Sequence, residues 1–307
     1  MTRFSVIVPM RSTEAFADEC LSSVQSQTGA DLEVIAVDDD SPDGCGAIID
    51  RHARADHRFT ALHRDRSCGV GASRNAGIAR ANGEYLLFLD GDDAFHDRNV
   101  LAGLDDDLAR TGDPDVLMFD YEQSRPCGLG RRSNLGWVVA VDAQHLLGQA
   151  ERPEALRVSW VCWNKAYRRD SIARTGLRFP AGYYEDFVWS LCAVLAADRV
   201  AVSGRVGVDY RCCRTSSISR GVSPRHFEVF DQFDRILDFL HDHPEVDAAP
   251  VRTVLADAMT TFLRSRSERR RVVPPDLLPE FRRRSDELAA RVNPTRAARR
   301  RCGRTAC

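Results

Sequence analysis

Short apolar runs alternate with longer mixed segments through the first ninety residues of the chain. The runs are rich in residues that favour strands, and we predict strands at residues 4–8, 32–37, 59–63 and 85–89. The segments between them predict helices at residues 15–25, 46–55 and 70–81. Strands that alternate with helices at this spacing are typical of βαβ units. The expected fold class is therefore α/β, with a Rossmann-like, mainly parallel sheet and helices on both of its faces.

Polar clusters follow three of the predicted strands, at residues 9–13, 38–43 and 90–93. Ligands of open parallel sheets bind beyond the carboxyl ends of the strands. The three clusters are therefore the expected lining of a ligand site.

The rest of the chain divides into a mixed section and a helical one. Between residues 97 and 220 the pattern predicts strands at 116–121 and 137–141, with a loop at 124–134 between them. It then predicts a helix at 185–197 and a strand pair at 200–202 and 206–211. Beyond residue 224 it predicts helices, including 227–240 and 251–264. We therefore expect a C-terminal helical extension to the α/β part.

The composition describes a globular chain without a marked charge bias. Of 307 residues, 43% are hydrophobic and 29% charged, and the net charge of −2 gives no general attraction to nucleic acid. No apolar run approaches the ~20 residues of a membrane helix, and the N-terminus enters a strand without a signal peptide. The ten cysteines lack metal-site spacing, so we expect reduced thiols in a cytoplasmic protein.

Three carboxylates crowd the end of the fourth predicted strand, at Asp90, Asp92 and Asp93. Negative charges this close repel each other unless a cation lies among them, and hard divalent cations prefer carboxylate oxygens. A cation at the end of a parallel strand usually meets a phosphate. The alternative is a solvated acidic turn that caps the following helix.

Two further motifs at the strand ends suit a nucleotide. Asp39 directly follows the second strand, where a carboxylate can accept hydrogen bonds from a nucleobase N–H or from ribose hydroxyls. We expect the nearby Asp43 to cap the next helix instead. Residues 69–77 are mostly small, and their Arg74 suits a base carbonyl or a phosphate. This segment matches the dinucleotide fingerprint only weakly, because Arg74 occupies the place of its last glycine.

Two motifs in the second half also carry chemistry. Glu185 and Asp186 open a predicted apolar helix directly after two tyrosines, which suits either a general base or acids that complement the helix dipole. Lys165 is the only lysine among 43 basic residues, and Trp163 lies two positions before it. This pair indicates either a pocket with a stacking ring and a cation or a core segment with one lysine.

Taken in order along the chain, these motifs resemble the family-two inverting glycosyltransferases with the GT-A fold. The likeness is strongest to the bacterial enzymes that build capsules, teichoic acids and other glycoconjugates. It covers about residues 3–220, and the segments that carry it are 6–9, 37–43, 72–77, 83–93, 163–165, 185–186 and 210–219.

The resemblance implies a role for each matching residue. Asp186 corresponds to the catalytic base, and Asp92 to the residue that holds Mg²⁺ or Mn²⁺. The residues implied in donor binding are Pro9, Asp39, Arg74, Asp90 and Asp92, with Asp90-Gly91-Asp92 as the DxD motif. The residues assigned to the acceptor or to a phosphate are Trp163, Lys165, Glu185 and Arg211.

The implied activity is metal-dependent, inverting transfer of a sugar from a nucleotide diphosphate sugar to a hydroxyl acceptor in bacterial glycan, cell-wall polymer or glycoconjugate synthesis. A UDP-sugar is favoured by family frequency. Residues 1–220 would be the catalytic domain, with a nucleotide-binding half at 1–95 and an acceptor half at 96–220. Residues 221–307 would be the helical region. A nucleotidyltransferase and a non-catalytic sugar-nucleotide-binding protein are the alternatives.

The sequence departs from the family pattern in two places. Asp40 stands where glycine is usual, and Met10-Arg11-Ser12 stands where a Tyr-Asn pair is common. Both departures concern recognition of the donor.

The C-terminal region is strongly basic, with fourteen arginines and five acids between residues 264 and 304. It predicts either a solvated helical face with a frayed tail, or a basic surface. Such a surface would hold an anionic polymer, a lipid-linked acceptor or the inner face of the membrane.

Overall fold

The computed structural model describes residues 2–124, 131–132, 144–147, 152–157, 160–212, 221–269 and 271–292. The chain forms two compact units. The first unit comprises Met1–Gly148, Val161–Ala181 and Ala196–Cys213, and the second comprises Gln149–Trp160, Gly182–Leu195 and Arg214–Cys307. The predicted domains are segments that would fold independently, which the compactness of these units does not test. The predicted domain boundaries therefore stay a prediction.

The described residues contain ten strands, all in one sheet. They are β1 (Phe4–Met10), β2 (Leu32–Asp38), β3 (Phe59–His63), β4 (Tyr85–Phe88), β5 (Ala94–Phe95), β6 (Val116–Ser124), β7 (Arg131–Arg132), β8 (Gln144–Leu146), β9 (Lys165–Arg168) and β10 (Val200–Arg211). The α-helices are α1 (Glu14–Gln25), α2 (Cys45–Ala55), α3 (Val70–Ile78), α4 (Val100–Arg110), α5 (Arg152–Ala155), α6 (Arg169–Thr175), α7 (Glu185–Ala196), α8 (Glu228–Asp242), α9 (Ala249–Arg264) and α10 (Leu278–Val292).

The strand order is β3-β2-β1-β4-β9-β6-β10-β5, with β7 beside β6 and β8 beside β10. The first four strands are parallel to one another, and β6 is parallel to β10. The antiparallel pairings each span only two or three residue pairs. The prediction of an α/β fold with a mainly parallel sheet is therefore confirmed.

The apolar runs form the centre of the first unit. Every residue of β1 is buried, which is typical of a parallel strand covered on both faces. Helix α1 buries Ala17, Cys20, Leu21 and Val24, whose spacing of three or four residues places them on one face of the helix.

The structure differs from the predicted pattern in the last strand. Residues 200–202 and 206–211 are not a strand pair but parts of one strand, β10, which is irregular between Val202 and Val208. The polar residues between them resemble a turn in the sequence. However, the Asp107 carboxylate accepts hydrogen bonds from the Ser203 hydroxyl at 2.6 Å and from Arg205 Nε at 3.0 Å. These bonds hold the bulge inside the strand.

Two other predicted segments are not reproduced as predicted or lie outside the described residues. The predicted strand at 137–141 lies outside the described residues. The third helix ends at Ile78 rather than at residue 81, because the N–H groups of Arg80 and Ala81 donate to carbonyls three residues back and form a turn.

The described residues from 224 onward are mainly helical, as predicted. Besides their α-helices they include short 3₁₀ segments at Pro224–Phe227 and Pro275–Leu277 and a π-helical turn at Ser265–Arg269. Phe281 on α10 is fully buried, with its ring centroid 5.2 Å from that of Phe227 and 5.0 Å from that of Phe230. Within the described part of the chain, no helix combines the length and the apolar character that a membrane span requires.

Candidate active site

Three loops meet at the carboxyl end of β1. The chain passes from β1 outward through β2 to β3 and then returns to place β4 on the other side of β1. Such a reversal is a topological switch point, where open α/β sheets bind ligands in a crevice. The Asp39 N–H donates to the Met10 carbonyl at 3.0 Å, which ties the loop after β2 to this strand end.

Gly91 lets the loop after β4 approach the same strand end. A Cβ atom at this position would lie 2.8 Å from Met10 Cγ and 3.1 Å from the Pro9 carbonyl oxygen. Such distances are tighter than ordinary van der Waals contact, so only glycine fits here without displacing the loop. The buried strand residue Pro9 therefore forms part of the floor beneath the acidic loop.

The acidic loop brings three carboxylates together. Asp90, Asp92 and Asp93 each offer one oxygen atom, and the three atoms lie within 4.8 Å of one another. Asp93 is only 2% exposed, and one of its carboxylate oxygens accepts the Arg211 N–H at 2.7 Å.

This cluster suits a divalent cation. Burial, together with the negative charges of Asp92 and Asp90, raises the pKa of Asp93 well above its usual range. The raised pKa reports crowded negative charge, which a bound cation would relieve. Carboxylate oxygens are also the ligands that Mg²⁺ and Mn²⁺ prefer. The residues present therefore fit the predicted metal, with the carboxylates of Asp92 and its neighbours as the oxygen donors.

Arg74 reaches the acidic loop from α3. Its side chain is 4% exposed, and its Nη2 atom lies 2.7 Å from Asp90 Oδ1. The guanidinium also lies over the ring of Phe179, at 5.3 Å from the ring centroid. A charge-assisted hydrogen bond of this length fixes the orientation of the Asp90 carboxylate.

Asp39 is more deeply engaged by the protein than its sequence position indicates. It is 2% exposed, and it accepts hydrogen bonds from the Ser67 hydroxyl at 2.8 Å, the Cys68 N–H at 3.1 Å and the Gly69 N–H at 2.9 Å. Burial alone would raise the pKa of Asp39, but the hydrogen bonds outweigh it and lower the pKa. Asp39 is therefore held as a carboxylate at the loop that opens α3.

The two departures from the family pattern contact each other. Asp40 has a left-handed backbone with φ of +56°, a conformation in which glycine is usual and aspartate is tolerated. The Arg11 guanidinium donates hydrogen bonds to the backbone carbonyls of Asp39 and Asp40. Arg11 thus braces the loop after β1 against the loop after β2, at the expected donor side of the site.

Arg211 supports the acidic loop from β10. Its Nε donates to the Asp92 carbonyl at 2.9 Å, and its guanidinium forms an ion pair of 2.8 Å with Glu19 on α1. These contacts involve the main chain of the acidic loop and a neighbouring helix. They favour a role for Arg211 in holding the loop over the predicted direct role toward an acceptor or a phosphate.

The ring of Trp163 is largely covered by other aromatic side chains. It is 5% exposed and stacks on Tyr210 with ring centroids 5.0 Å apart, while Tyr121 meets it edge-on at 4.7 Å. Burial raises the pKa of both tyrosines, which therefore stay neutral. The three rings pack against one another, and this arrangement favours packing over direct stacking on an acceptor.

The contacts of Lys165 favour a structural role over the predicted contact with an acceptor or a phosphate. The residue is 0% exposed, and its Nζ atom donates to the Val161 carbonyl at 2.7 Å and to Asn164 Oδ1 at 2.9 Å. An ammonium enclosed by the protein core does not meet a phosphate that arrives from solvent. Lys165 instead satisfies buried polar atoms in the segment that leads into β9.

Glu185 and Asp186 belong to the second unit, where they open α7. Glu185 is 7% exposed, and Asp186 is more accessible, in the intermediate range. The more accessible carboxylate is the better candidate for a proton acceptor from a substrate.

Sequence reasoning did not identify a second group of possible metal ligands. His96, Glu122 and Asp209 lie on adjacent strands or directly after one, with ligand atoms within 4.8 Å of one another. His96 Nδ1 lies 2.6 Å from Asp209 Oδ1. The three residues are scattered along the sequence, and only the pairing of β5, β6 and β10 brings them together.

Comparisons with known proteins agree with this fold. Residues 5–118 match the model of the family described as "Glycosyl transferase family 2". The matched segment contains the acidic loop, Asp39 and Arg74. Residues 5–118 are therefore similar to a family-2 glycosyltransferase domain.

Particular relatives extend this likeness over more of the chain. It is 32% identical over 204 residues to the protein described as uncharacterized glycosyltransferase EpsJ of Bacillus subtilis, a match that covers 64% of this chain and 57% of EpsJ. The structure of Staphylococcus aureus TarS residues 1–349 in complex with UDP-GlcNAc superposes on this chain with a TM-score of 0.61 and 20% sequence identity. The match covers 98% of this chain and 92% of the TarS chain. The mannosyltransferase PcManGT of Pyrobaculum calidifontis, in complex with GDP-Man and Mn²⁺, has a TM-score of 0.51 and 18% identity, and covers 87% of this chain and 75% of that one. The fold is thus the GT-A fold.

Proposed function

We propose that the protein is a metal-dependent, inverting glycosyltransferase that moves one sugar from a nucleotide diphosphate sugar to a hydroxyl acceptor. The observation that carries the proposal is the cluster of Asp90, Asp92 and Asp93 at the switch point of a family-2 domain. Diphosphates need a cation or arginines beside them, and this cluster offers ligands for a cation.

The donor would lie in the crevice beyond β1, β2 and β4. In this proposal Asp39 contacts the nucleoside beside the loop that opens α3, and Arg74 holds Asp90 toward the ribose. Pro9 and Gly91 keep the floor close enough for the acidic loop to face the diphosphate. The hydrogen bonds and ion pair of these residues support such roles, because they fix the side chains before a ligand arrives.

A divalent cation held by Asp92, when bound, would supply positive charge against the diphosphate leaving group. A UDP-sugar is our first choice of donor, supported by the UDP-GlcNAc in the TarS structure of the same fold. The GDP-Man of PcManGT keeps a GDP-sugar as the next choice.

The proposed reaction is a single displacement. The acceptor hydroxyl oxygen forms a bond to the anomeric carbon while the bond from that carbon to the diphosphate oxygen breaks. Asp186 takes the hydroxyl proton, and Glu185 supports it from the same helix turn. Attack from the face opposite the leaving group inverts the anomeric configuration.

A donor panel tests this function directly. The purified chain is incubated with UDP-, GDP- and dTDP-sugars in Mn²⁺, and release of the free nucleoside diphosphate is measured. We expect release from at least one donor, and a product of inverted configuration by NMR once an acceptor is found. Pyrophosphate release from a nucleoside triphosphate and a sugar phosphate would instead identify a nucleotidyltransferase. Donor binding without turnover under any condition would identify a binding protein.

The acceptor side of the proposal concerns the basic C-terminal region. We propose that it holds an anionic polymer or lipid-linked acceptor, at the inner face of the membrane in a cytoplasmic protein. Part of its charge is already neutralised, because Arg283, Arg284 and Arg291 form ion pairs with Glu280, Asp231 and Asp234. Arg264, Arg269, Arg271 and Arg282 are exposed, and no ion pair of theirs occurs within the described ranges.

Substitution of glutamine for Arg264, Arg269 and Arg282 is expected to weaken binding to anionic lipid vesicles by up to ~10²-fold. Each arginine near an anionic surface contributes at most about 1 kcal/mol, and the three contributions add. Binding is measured by vesicle cosedimentation, with donor hydrolysis as the check that the catalytic part is intact. Arg271 is left in place because its backbone is in the left-handed region, with φ of +51°. A substitution there could change the backbone strain as well as the charge.

The matched control replaces three exposed arginines of the first unit, Arg54, Arg80 and Arg98. It removes the same total charge elsewhere on the surface. Binding should also fall in ~0.5 M salt, where the Debye length shrinks below 5 Å. If both triple variants bind vesicles equally, or if salt has no effect, the C-terminal region is a solvated surface.

A further inference from the structure

The chain turns sharply just before α7. Gly182 has φ of +103°, and Tyr184 has φ of +66°, which is a strained conformation for a bulky side chain. Tyr184 lies directly before α7, and its carbonyl accepts the Phe187 N–H at 3.1 Å. A strained residue persists only where surrounding contacts hold it, so the contacts of Tyr184 decide where Glu185 and Asp186 point.

One segment of the C-terminal region supplies these contacts. The Tyr184 hydroxyl donates to Nδ1 of His226, and His226 Nε2 donates to the Gly221 carbonyl at 2.7 Å. The second bond places the ring proton on Nε2 and leaves Nδ1 as the acceptor. His226 is 0% exposed, and burial together with the nearby charge of Arg266 lowers its pKa, so the ring is neutral as this arrangement requires.

The residue before Tyr184 is held by the same segment. The Tyr183 N–H donates to Glu228 Oε2 at 2.7 Å, and Arg225 pairs with Glu228 Oε1 at 2.7 Å. The Arg225 guanidinium lies over the Tyr183 ring, at 4.0 Å from its centroid. The whole segment is anchored in turn, because the Ser223 N–H donates to the Val272 carbonyl at 3.0 Å.

We propose that His226 and Tyr184 are positioning residues for Asp186, so that the C-terminal region sets the orientation of the proposed base. This inference rests on the proposed role of Asp186 as the base. The family model ends at residue 118 and the recognised motifs end near residue 220, so neither assigns a role to His226. The hydrogen-bonded pair sets the backbone from which Asp186 projects, two residues further along the chain.

The test is a double-mutant cycle on turnover. Tyr184→Phe and His226→Phe are each expected to lower kcat by about 10- to 100-fold, because small misplacement of a reacting group costs this much. The KM for the donor and donor binding by calorimetry should stay at the wild-type values. In the Asp186→Asn background, Tyr184→Phe should have no further effect, because a positioning residue acts only through the group that it positions.

Two further variants separate positioning from a general loss of stability. His226→Gln retains a donor and an acceptor on one side chain, and it should recover part of the turnover that His226→Phe loses. Tyr85→Phe is the matched control, because it removes a buried hydroxyl that donates to the Pro114 carbonyl at 2.9 Å in the first unit. It should lower the melting temperature without lowering kcat.

Three outcomes would overturn the proposal. They are wild-type kcat in both Tyr184→Phe and His226→Phe, an undiminished effect of Tyr184→Phe in the Asp186→Asn background, and an equal loss of kcat in Tyr85→Phe. Failure of the proposed base has its own signature, which is wild-type turnover in Asp186→Asn alone.

Discussion

Replacement of Asp92 by alanine is expected to abolish sugar transfer and the metal-dependent part of nucleotide binding. A cation that neutralises a departing diphosphate contributes several kcal/mol to the transition state, which corresponds to a loss of roughly 10³-fold or more. Asp92 is the residue of the cluster to which the proposal assigns the cation. Asp93 is buried and accepts the Arg211 N–H, and Asp90 is paired with Arg74, so changes at either also disturb the loop.

The measurement compares UDP binding by calorimetry with Mn²⁺ and with excess chelator, beside turnover of the donor found in the panel. Wild-type protein should bind UDP more tightly with Mn²⁺, and the Asp92→Ala variant should not distinguish the two conditions. The control is Asp106→Ala, which removes an exposed aspartate from α4. Full turnover of the wild-type protein in excess chelator would sink the metal hypothesis, whatever the variant does.

The sequence predicts the fold of the first unit well, because local patterns carry the information. The buried strands β1, β2 and β4 appear as short apolar runs, and each is followed by the polar residues that line the switch point. Parallel pairing then brings those strand ends to one edge of the sheet. The predicted convergence of the three polar clusters follows from this topology, and it needs no long-range information.

The roles of single side chains are harder to predict, because their partners are distant in sequence. Asp43 was expected to cap α2, and it does accept the Cys45 N–H at 3.3 Å, but it also accepts the Glu14 N–H at 3.0 Å at the start of α1. Asp39 is assigned to a nucleoside by its position, yet its hydrogen bonds go to residues 67–69. No local pattern indicates which loop will pack against a given carboxylate.

Lys165 shows the same limit in another form. A single lysine between aromatic residues suits a binding pocket as well as a core, and composition does not decide between them. Its full burial is decided by the pairing of β9 with β4 and β6, which are far away in the sequence. His226 has no local signal at all, because its partner Tyr184 lies 42 residues before it.

Replacement of Asp186 by asparagine is expected to lower turnover by roughly 10²–10⁴-fold while donor binding stays nearly unchanged. Asparagine has almost the same shape as aspartate, so the start of α7 and its contacts should be preserved. Its amide cannot take a proton from the acceptor hydroxyl, so the loss should fall on kcat. The proposed donor contacts all lie in the first unit, whereas Asp186 belongs to the second.

The matched control is Asp238→Asn, the same change at an exposed position on α8 of the second unit. It should leave turnover and donor binding at wild-type values. Glu185→Gln is the companion variant, since Glu185 opens the same helix turn but is largely buried. We expect a smaller loss from it than from Asp186→Asn, because a supporting carboxylate does not receive the proton.

Each possible result assigns Asp186 to one role. A loss of kcat with intact donor affinity supports the base, because only the proton transfer has been removed. A collapse of donor affinity would make Asp186 a binding or structural residue, and the inference about Tyr184 and His226 would then concern binding. Unchanged turnover in Asp186→Asn, together with a large loss in Glu185→Gln, would move the base to Glu185. A general base loses its function when it becomes an amide but not when its neighbour does, so the pair of variants distinguishes the two carboxylates.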